Sequence, residues 1–203
     1  MIDSILQGFL HQDALDWSAL LFGLAYVILI ARGKWWGWIL GIVSCALILW
    51  KDLFSYSLWA DAGLQLFYIV MGFVGIRYWL RSSNKTIFYP KEWSLKKHFI
   101  LILMGIILSL MLGYTLRGTP AALPFADSMT SVFAVLATGL MVLKLRSNWL
   151  YWVAIDGAYI IIYGRQEAYY FALLSFIYLL LAIYGFFTWK KQKAPLLSND
   201  TAD

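Results

Sequence analysis

The chain has 203 residues, of which 62% are hydrophobic and only 13% are charged, whereas an ordinary soluble domain has about 25% charged residues. This composition excludes a water-soluble globular domain and indicates a membrane protein. The formal net charge of +5 comes from basic residues gathered between apolar runs. No basic surface interleaved with aromatic residues is present, so nucleic acid is not an expected partner.

Seven apolar runs approach the length of about 17 to 25 residues that a membrane-spanning helix needs. No Lys or Arg precedes Arg32, so the first run lacks the basic start of a cleavable signal peptide and is expected to stay as a helix. All four prolines lie outside the runs, as expected for continuous helices. The sequence therefore predicts an all-α, polytopic membrane protein with seven transmembrane helices, at about residues 15–31, 35–50, 58–80, 98–116, 127–143, 148–164 and 168–189.

The basic residues divide unequally between the two sets of predicted loops. Thirteen of the 16 Lys and Arg residues fall on one side, and the other side holds Lys51, Arg117 and Arg165. The positive-inside rule then predicts an amino terminus outside and a carboxyl terminus in the cytoplasm. The polar tail at the carboxyl terminus is predicted to be disordered.

The second half of the chain repeats features of the first half. Two WxxW units align at an offset of 114 residues, and the segments 65–79 and 175–189 align at an offset of 110 residues. An odd linker helix gives both three-helix units the same orientation, which predicts a 3+1+3 arrangement with parallel pseudo-two-fold repeats. The SWEET transporters have such parallel repeats, with substrate held between them, although duplication also arises for structural reasons alone. The expected domains are residues 15–80 (first repeat), 81–126 (loop and linker helix), 127–189 (second repeat) and 190–203 (cytoplasmic tail).

One face of the sixth predicted helix carries Trp149, Trp152, Asp156, Tyr159 and Tyr163, at positions i, i+3, i+7, i+10 and i+14. A charge this deep costs roughly 2.5 to 3.5 kcal/mol and needs a partner. Every Lys and Arg is assigned to a loop or a helix end, so the expected partner is an external organic cation, which Trp rings bind best. The two tryptophans are predicted as flat walls above an anionic floor, with Tyr159 nearby. Alternatively, the tryptophans anchor the helix at the interface, and the aspartate is a protonated acid bonded to a neighbouring helix.

A second polar face lies on the third predicted helix, with Asp61, Gln65 and Tyr68 at spacings of four and three residues. A glutamine inside a membrane span must find hydrogen bonds. Gln65 is predicted either to bind a polar edge of the substrate or to tie two helices together. Asp61 lies near the outer interface, where solvation is a sufficient explanation. The sequence contains no HExxH, P-loop, GxSxG or GxGxxG motif, so neither an enzyme nor a metal or cofactor site is predicted.

Four segments of the chain resemble the PnuC family of vitamin transporters: residues 60–65 (ADAGLQ), Tyr78-Trp79, Asp127-Ser128 and, most specifically, residues 148–152 (NWLYW). The resemblance extends over residues 16–189. It implies a SWEET-like fold in the bacterial cytoplasmic membrane and facilitated diffusion without ATP or an ion gradient. It also implies trapping of the vitamin by a cytoplasmic kinase. Separately from the resemblance, membrane lipids and a homo-oligomer are counted among the partners, although the sequence does not give the oligomeric state.

The resemblance leaves the cargo open between nicotinamide riboside, thiamine and riboflavin. In the nicotinamide riboside branch an asparagine follows the WxxW unit four residues on, where this chain has Asp156. A full anion suits the thiazolium or aminopyrimidine of thiamine, so thiamine and the PnuT branch are predicted. Nicotinamide riboside, which also has a cationic ring, is the alternative. A substrate-capture subunit of an ATP-driven importer is a rival hypothesis that fits the repeat less well. A membrane enzyme is another rival, and it would need catalytic groups beyond one buried carboxylate and hydroxyl groups.

Overall fold

The computed structural model describes residues 2–55, 59–81, 88–118 and 123–192. Within these ranges the chain forms eight α-helices and one short 3-10 helix, Leu116–Gly118. Most of the predicted cytoplasmic tail, after Gln192, lies outside the described residues. The helices are α1 Ile2–Leu10, α2 Ala14–Ala31, α3 Gly37–Phe54, α4 Trp59–Arg81, α5 Leu95–Thr115, α6 Pro124–Val142, α7 Asn148–Arg165 and α8 Tyr169–Lys191.

The described helices include six that are long and apolar enough to cross a membrane. α7, the sixth predicted span, is not among them, because Asn148, Asp156, Arg165 and several Trp and Tyr residues lower its mean hydropathy. The chain is therefore an all-helical, multi-pass protein with six candidate spans where the sequence predicts seven. The six are Ala14–Ala31, Gly37–Phe54, Asp61–Arg81, Leu95–Gly118, Pro124–Val142 and Tyr169–Lys191.

α1 is missed by a search for runs of spanning length because it has only nine residues. Its Phe9 ring stacks on Trp17 at 5.6 Å and meets the edge of Tyr170 at 5.0 Å. Ile2, Leu6 and Leu10 are exposed. α1 thus covers the start of α8 and presents an apolar face outward.

Local signals set where the next helices begin. Asp13 Oδ1 accepts the backbone N–H groups of Leu15 and Asp16, both at 2.9 Å, and Asp16 Oδ2 accepts the backbone N–H of Asp13 at 3.1 Å. This reciprocal pattern is a capping box that starts α2. Pro124 is the first residue of α6, not outside the helices as predicted. The first helical turn has no use for the donor that proline lacks.

An ion-pair cluster joins the start of α2 to the end of α3. The Lys51 ammonium, whose side chain is 8% exposed, lies 2.9 Å from Asp13 Oδ2 and 2.6 Å from Asp16 Oδ2. Hydrogen bonds from the backbone N–H of Asp16 and from Lys51 lower the pKa of the Asp13 carboxyl. A lowered pKa means that this contribution to stability is present near neutral pH and is lost as the pH falls through that pKa.

The six helices other than α1 and α5 form two groups that pack in the same way. α3 packs between α2 and α4, and α7 packs between α6 and α8. The groups meet where α2 contacts α8 and where α4 contacts α6. α5 packs on α6, and its buried residues, Gly105, Ser109 and Gly113, recur every fourth position on one face. Small residues at this spacing allow close helix approach.

Hydrogen bonds at one end of the bundle occur as a matched pair. The Trp79 indole N–H, near the end of α4, donates to the carbonyl oxygen of Val142 at the end of α6, at 3.0 Å. The Trp189 indole N–H, near the end of α8, donates to the carbonyl oxygen of Ile30 near the end of α2, at 3.2 Å. Each bond joins one three-helix group to the other. We call this the tryptophan-rich end: α2, α4, α6 and α8 finish here, and α3 and α7 begin here.

Ring packing at the tryptophan-rich end follows the same pairing. A Cβ added at Gly75 would lie 2.6 Å from the Trp38 ring, and a Cβ added at Gly185 would lie 2.5 Å from the Trp149 ring. Trp38 is therefore the counterpart of Trp149, at an offset of 111 residues. The WxxW alignment at 114 is wrong in register, since it pairs Trp149 with Trp35, an exposed residue.

Gly185→Ala is expected to destabilise the protein by about 1–3 kcal/mol, because the added methyl group overpacks the contact with the Trp149 ring. Gly139→Ala is the matched control, since a Cβ there meets nothing within 4 Å. Alanine is favoured over glycine in a helix by up to about 1 kcal/mol, so the control should be neutral or stabilising. Thermal unfolding in detergent measures both. Equal melting temperatures for the two variants would contradict the close packing at Gly185.

Candidate functional site

The six helices of the two groups surround a cavity of about 440 Å³. It extends from Trp38 and Trp149 near the tryptophan-rich end to Asp61 at the start of α4. No described residue of α1 or α5 lines it. The volume falls within the range of about 300–1,000 Å³ that is usual for small-molecule sites.

Every residue predicted as part of the binding site lines this cavity. The α7 face and the α4 face, predicted separately from their helical spacing, therefore converge on one space. The seven lining residues from that prediction are Asp61, Gln65, Tyr68, Trp149, Trp152, Asp156 and Tyr159.

Asp156 lies at the middle of α7 and its side chain borders the cavity with only 7% of the residue exposed. Across the described ranges, no Lys, Arg or His side chain lies within ion-pair distance of its carboxylate. A buried carboxylate without a basic partner is costly unless a cation reaches it. The role of Asp156 as the anionic floor of a cation site stays a prediction.

The two predicted tryptophan walls differ from each other in the structure. Trp149 is 1% exposed, with one face of its ring against Gly185 and its ring 5.4 Å from Trp189 in an edge arrangement. Trp38 packs on Gly75 in the same way, so this arrangement belongs to the repeated framework. Trp152 is only partly buried, so its ring is more accessible than the ring of Trp149.

Several indole donors beside the cavity have no acceptor. The Nε1 atoms of Trp38, Trp149 and Trp152 are buried without a hydrogen-bond partner in the part of the chain that is described. By contrast, the hydroxyl groups of Ser44 and Thr138, which also line the cavity, donate to the backbone carbonyls of Ala19 and Ala134. The free hydrogen-bonding capacity of the cavity therefore lies mainly with the tryptophans and the α4 face.

The prediction from the sequence missed other lining residues, including Tyr26, Trp38, Cys45 and Tyr178. At the structural offset of 111 residues, Cys45 is the counterpart of Asp156. The correct register of the repeat would have identified Trp38 and Cys45. Tyr26 donates its hydroxyl to Met141 Sδ at 3.1 Å, and no sequence pattern singles it out.

Comparison with known proteins agrees with this architecture. The nicotinamide riboside transporter PnuC of Haemophilus influenzae is 24% identical over 183 residues, covering 87% of this chain and 80% of the relative. The protein of the same name from Neisseria mucosa is 21% identical over 186 residues, covering 85% of this chain and 70% of the relative.

A solved structure shares the fold. The crystal structure of the vitamin B3 transporter PnuC aligns with a TM-score of 0.74 and 21% sequence identity, covering 94% of this chain and 86% of that chain. The family model described as nicotinamide mononucleotide transporter matches residues 13–191. The chain is therefore a multi-pass membrane protein, consistent with the bacterial inner membrane. It belongs to the nicotinamide mononucleotide transporter family, the PnuC family of membrane vitamin transporters.

Proposed function

We propose that this protein carries nicotinamide riboside across the bacterial cytoplasmic membrane by facilitated diffusion. The structural observation that points to a cationic cargo is Asp156, a buried carboxylate without a basic partner in the described chain, facing a cavity of about 440 Å³. The pyridinium ring of nicotinamide riboside supplies the missing positive charge. Two relatives are named for this substrate. Because the relatives are transporters, a non-enzymatic role is favoured.

Each polar part of the substrate has a matching group in the cavity. The cationic ring stacks on Trp152, where cation–π attraction adds roughly 0.5–2 kcal/mol, and Asp156 compensates its charge. Gln65 and Tyr68, which line the cavity from α4, bind the carboxamide and the ribose hydroxyl groups. Tyr159 and Asp61 border the path to the opposite end. Trp149 contributes its indole edge and N–H rather than a stacking face.

The architecture proposed for transport has two parallel three-helix repeats, α2–α4 and α6–α8, joined by α5. The matched bonds of Trp79 and Trp189 and the matched ring packing of Trp38 and Trp149 support it. α7 is proposed as the seventh span because it packs between α6 and α8, which are both candidate spans. The tryptophan-rich end faces the cytoplasm by the positive-inside rule. Uniport requires similar affinity in both orientations of the site.

Thiamine is the second candidate, and one observation favours it: Asp156, which would compensate a thiazolium ring, stands where the nicotinamide riboside branch has an asparagine. The comparisons with relatives give thiamine and the PnuT branch no support, and nicotinamide riboside fits them better. Trapping by a cytoplasmic kinase belongs to the proposal for either cargo, because a uniporter alone only equalises the two concentrations.

Quenching of tryptophan fluorescence in the purified protein, titrated with nicotinamide riboside, thiamine and riboflavin, tests the substrate. Saturable quenching by nicotinamide riboside alone is expected, because Trp152 stacks on its ring. Proteoliposomes without ATP or an ion gradient should then equilibrate the riboside and return it unmodified. Saturation by thiamine alone would overturn the proposed substrate. Recovery of a chemically altered riboside would overturn the transporter assignment in favour of an enzyme.

A further inference from the structure

The tryptophan-rich end of the cavity is closed by stacked layers of aromatic rings. Trp38 and Trp149 form the first layer and line the cavity. Trp79 and Trp189 form the second layer, in edge contact with the first at 5.7 Å and 5.4 Å. All four are buried, and none is more than 2% exposed. A substrate leaving at this end has to pass both layers.

Phe88 forms a third element beneath these layers. Its ring centroid lies 4.8 Å from that of Trp79 and 4.9 Å from that of Trp189, so it sits almost equally between the two helix groups. Trp79 and Trp189 are themselves 6.1 Å apart. Phe88 comes from the connection between α4 and α5, and among the described residues it is the ring that bridges Trp79 of one helix group and Trp189 of the other.

The turns at this end are shaped around Phe88. Gly33, which follows α2 with φ of 71°, has no room for a side chain, since a Cβ there would lie 2.6 Å from the Phe88 ring. Lys144 occupies the equivalent position after α6 with φ of 59° and places its ammonium 5.3 Å from the Phe88 ring and 5.4 Å from the Trp79 ring. The turn after α2 makes space for the Phe88 ring, and the turn after α6 places a cation against that ring.

Residues 88–92, which we call the latch, bond to the turn between α6 and α7 and to α4, where the Lys91 ammonium donates to the Tyr78 hydroxyl oxygen at 3.1 Å. The Lys91 backbone N–H donates to the carbonyl oxygen of Lys144 at 2.7 Å, and the Arg146 backbone N–H donates to the carbonyl oxygen of Lys91 at 3.0 Å. Glu92 pairs with Arg146 at 2.7 Å. Glu92 is mostly exposed, and exposed ion pairs contribute little stability. None of these described bonds is one of the backbone hydrogen bonds within a helix.

Alternating access requires the two helix groups to separate at one end at a time. At the tryptophan-rich end, the groups are joined by the Trp79 to Val142 and Trp189 to Ile30 hydrogen bonds and by Phe88 across both tryptophans. We propose that Phe88 is a gating residue: the latch holds it between Trp79 and Trp189, and it must withdraw before substrate can pass this end. This inference rests on transport between two three-helix groups and not on the identity of the cargo.

Labelling of Cys45 tests the gate without any substrate. Cys45 is the single cysteine of the chain and lines the cavity, so its reaction with a membrane-impermeant methanethiosulfonate reports access to the cavity from whichever face receives the reagent. Inside-out and right-side-out vesicles expose the two faces separately. Phe88→Ala should raise the labelling rate by about tenfold from the face of the tryptophan-rich end only, because that rate follows the population of the open state.

Trp93→Ala is the matched control, since Trp93 belongs to the same connection but its ring lies by His98 and Lys97, away from the tryptophan layers. The control should label like the wild type. Unchanged labelling of Phe88→Ala at both faces would overturn the gate. An equal rise at both faces would also overturn it, because that result describes a loosened bundle.

Discussion

Asp156→Asn is expected to weaken the binding of nicotinamide riboside by about tenfold, or about 1.4 kcal/mol, without abolishing it, because the nicotinamide riboside branch that the chain resembles has an asparagine at this position. The change keeps the shape of the side chain and removes a charge that attracts the cationic ring. Asp156 is 7% exposed, and electrostatic attraction is stronger at a buried site than in water. Fluorescence titration of the purified variant measures the loss of affinity, and uptake at low substrate concentration should fall with it.

A matched ligand separates charge from shape in this experiment. The reduced form, 1,4-dihydronicotinamide riboside, has nearly the same outline but an uncharged ring, so it should bind the wild type and Asp156→Asn with similar affinity. Asp61→Asn is the matched protein control, because Asp61 also lines the cavity but is exposed at the start of α4. Asp61→Asn should reduce the affinity for nicotinamide riboside several times less than Asp156→Asn does, since exposed charges are screened by solvent.

The opposite pattern would contradict the role given to Asp156. If the cationic and reduced ligands lost affinity equally, the variant would have changed the shape of the cavity and not its charge. If neither ligand lost affinity, the carboxylate would be bound as a neutral acid within the protein, the alternative left open by the sequence. In either case the family and the fold would stand, because both rest on other observations.

Much of the fold follows from apolar runs of spanning length. The predicted runs and the observed helices agree within about four residues, because a lipid environment forces the backbone to satisfy its hydrogen bonds within each helix. The count was harder to predict. α7 is long enough but carries polar residues of the candidate site, so hydropathy separates this helix least clearly from a soluble helix. α1 is too short for the same criterion.

Helical spacing was enough to predict which residues of the candidate site share a helix face. Residues seven positions apart on α7 share a face regardless of what packs there, and so do those of α4, which explains why both faces line the cavity. What packs on each ring depends on a partner helix. Gly185 lies against Trp149 because α8 crosses α7 at that point, and the sequence gives no sign of this crossing. The packing of Phe88 depends equally on the distant ends of α4 and α8.

Trp152→Ala is expected mainly to lose affinity for the substrate, and Trp149→Ala is expected mainly to lose stability. Removing the partly exposed Trp152 ring should cost about tenfold or more in affinity for nicotinamide riboside, because stacking on an aromatic ring contributes roughly 1–3 kcal/mol. Its melting temperature should fall only modestly. Trp149 is 1% exposed and packed against Gly185 and Trp189. Its removal should lower the free energy of unfolding by roughly 3–5 kcal/mol.

A second change distinguishes loss of packing from loss of a binding contact at Trp149. Gly185→Leu in the Trp149→Ala background returns apolar volume to the space that the indole leaves, because the two residues are in direct contact. If Trp149 acts through packing, the double variant should recover part of the melting temperature and of the affinity together. If Trp149 stacks on the substrate as a wall of the site, the double variant should recover stability while affinity stays low. Joint recovery would assign stacking to Trp152 alone and place Trp149 with Trp38 in the framework that both repeats share.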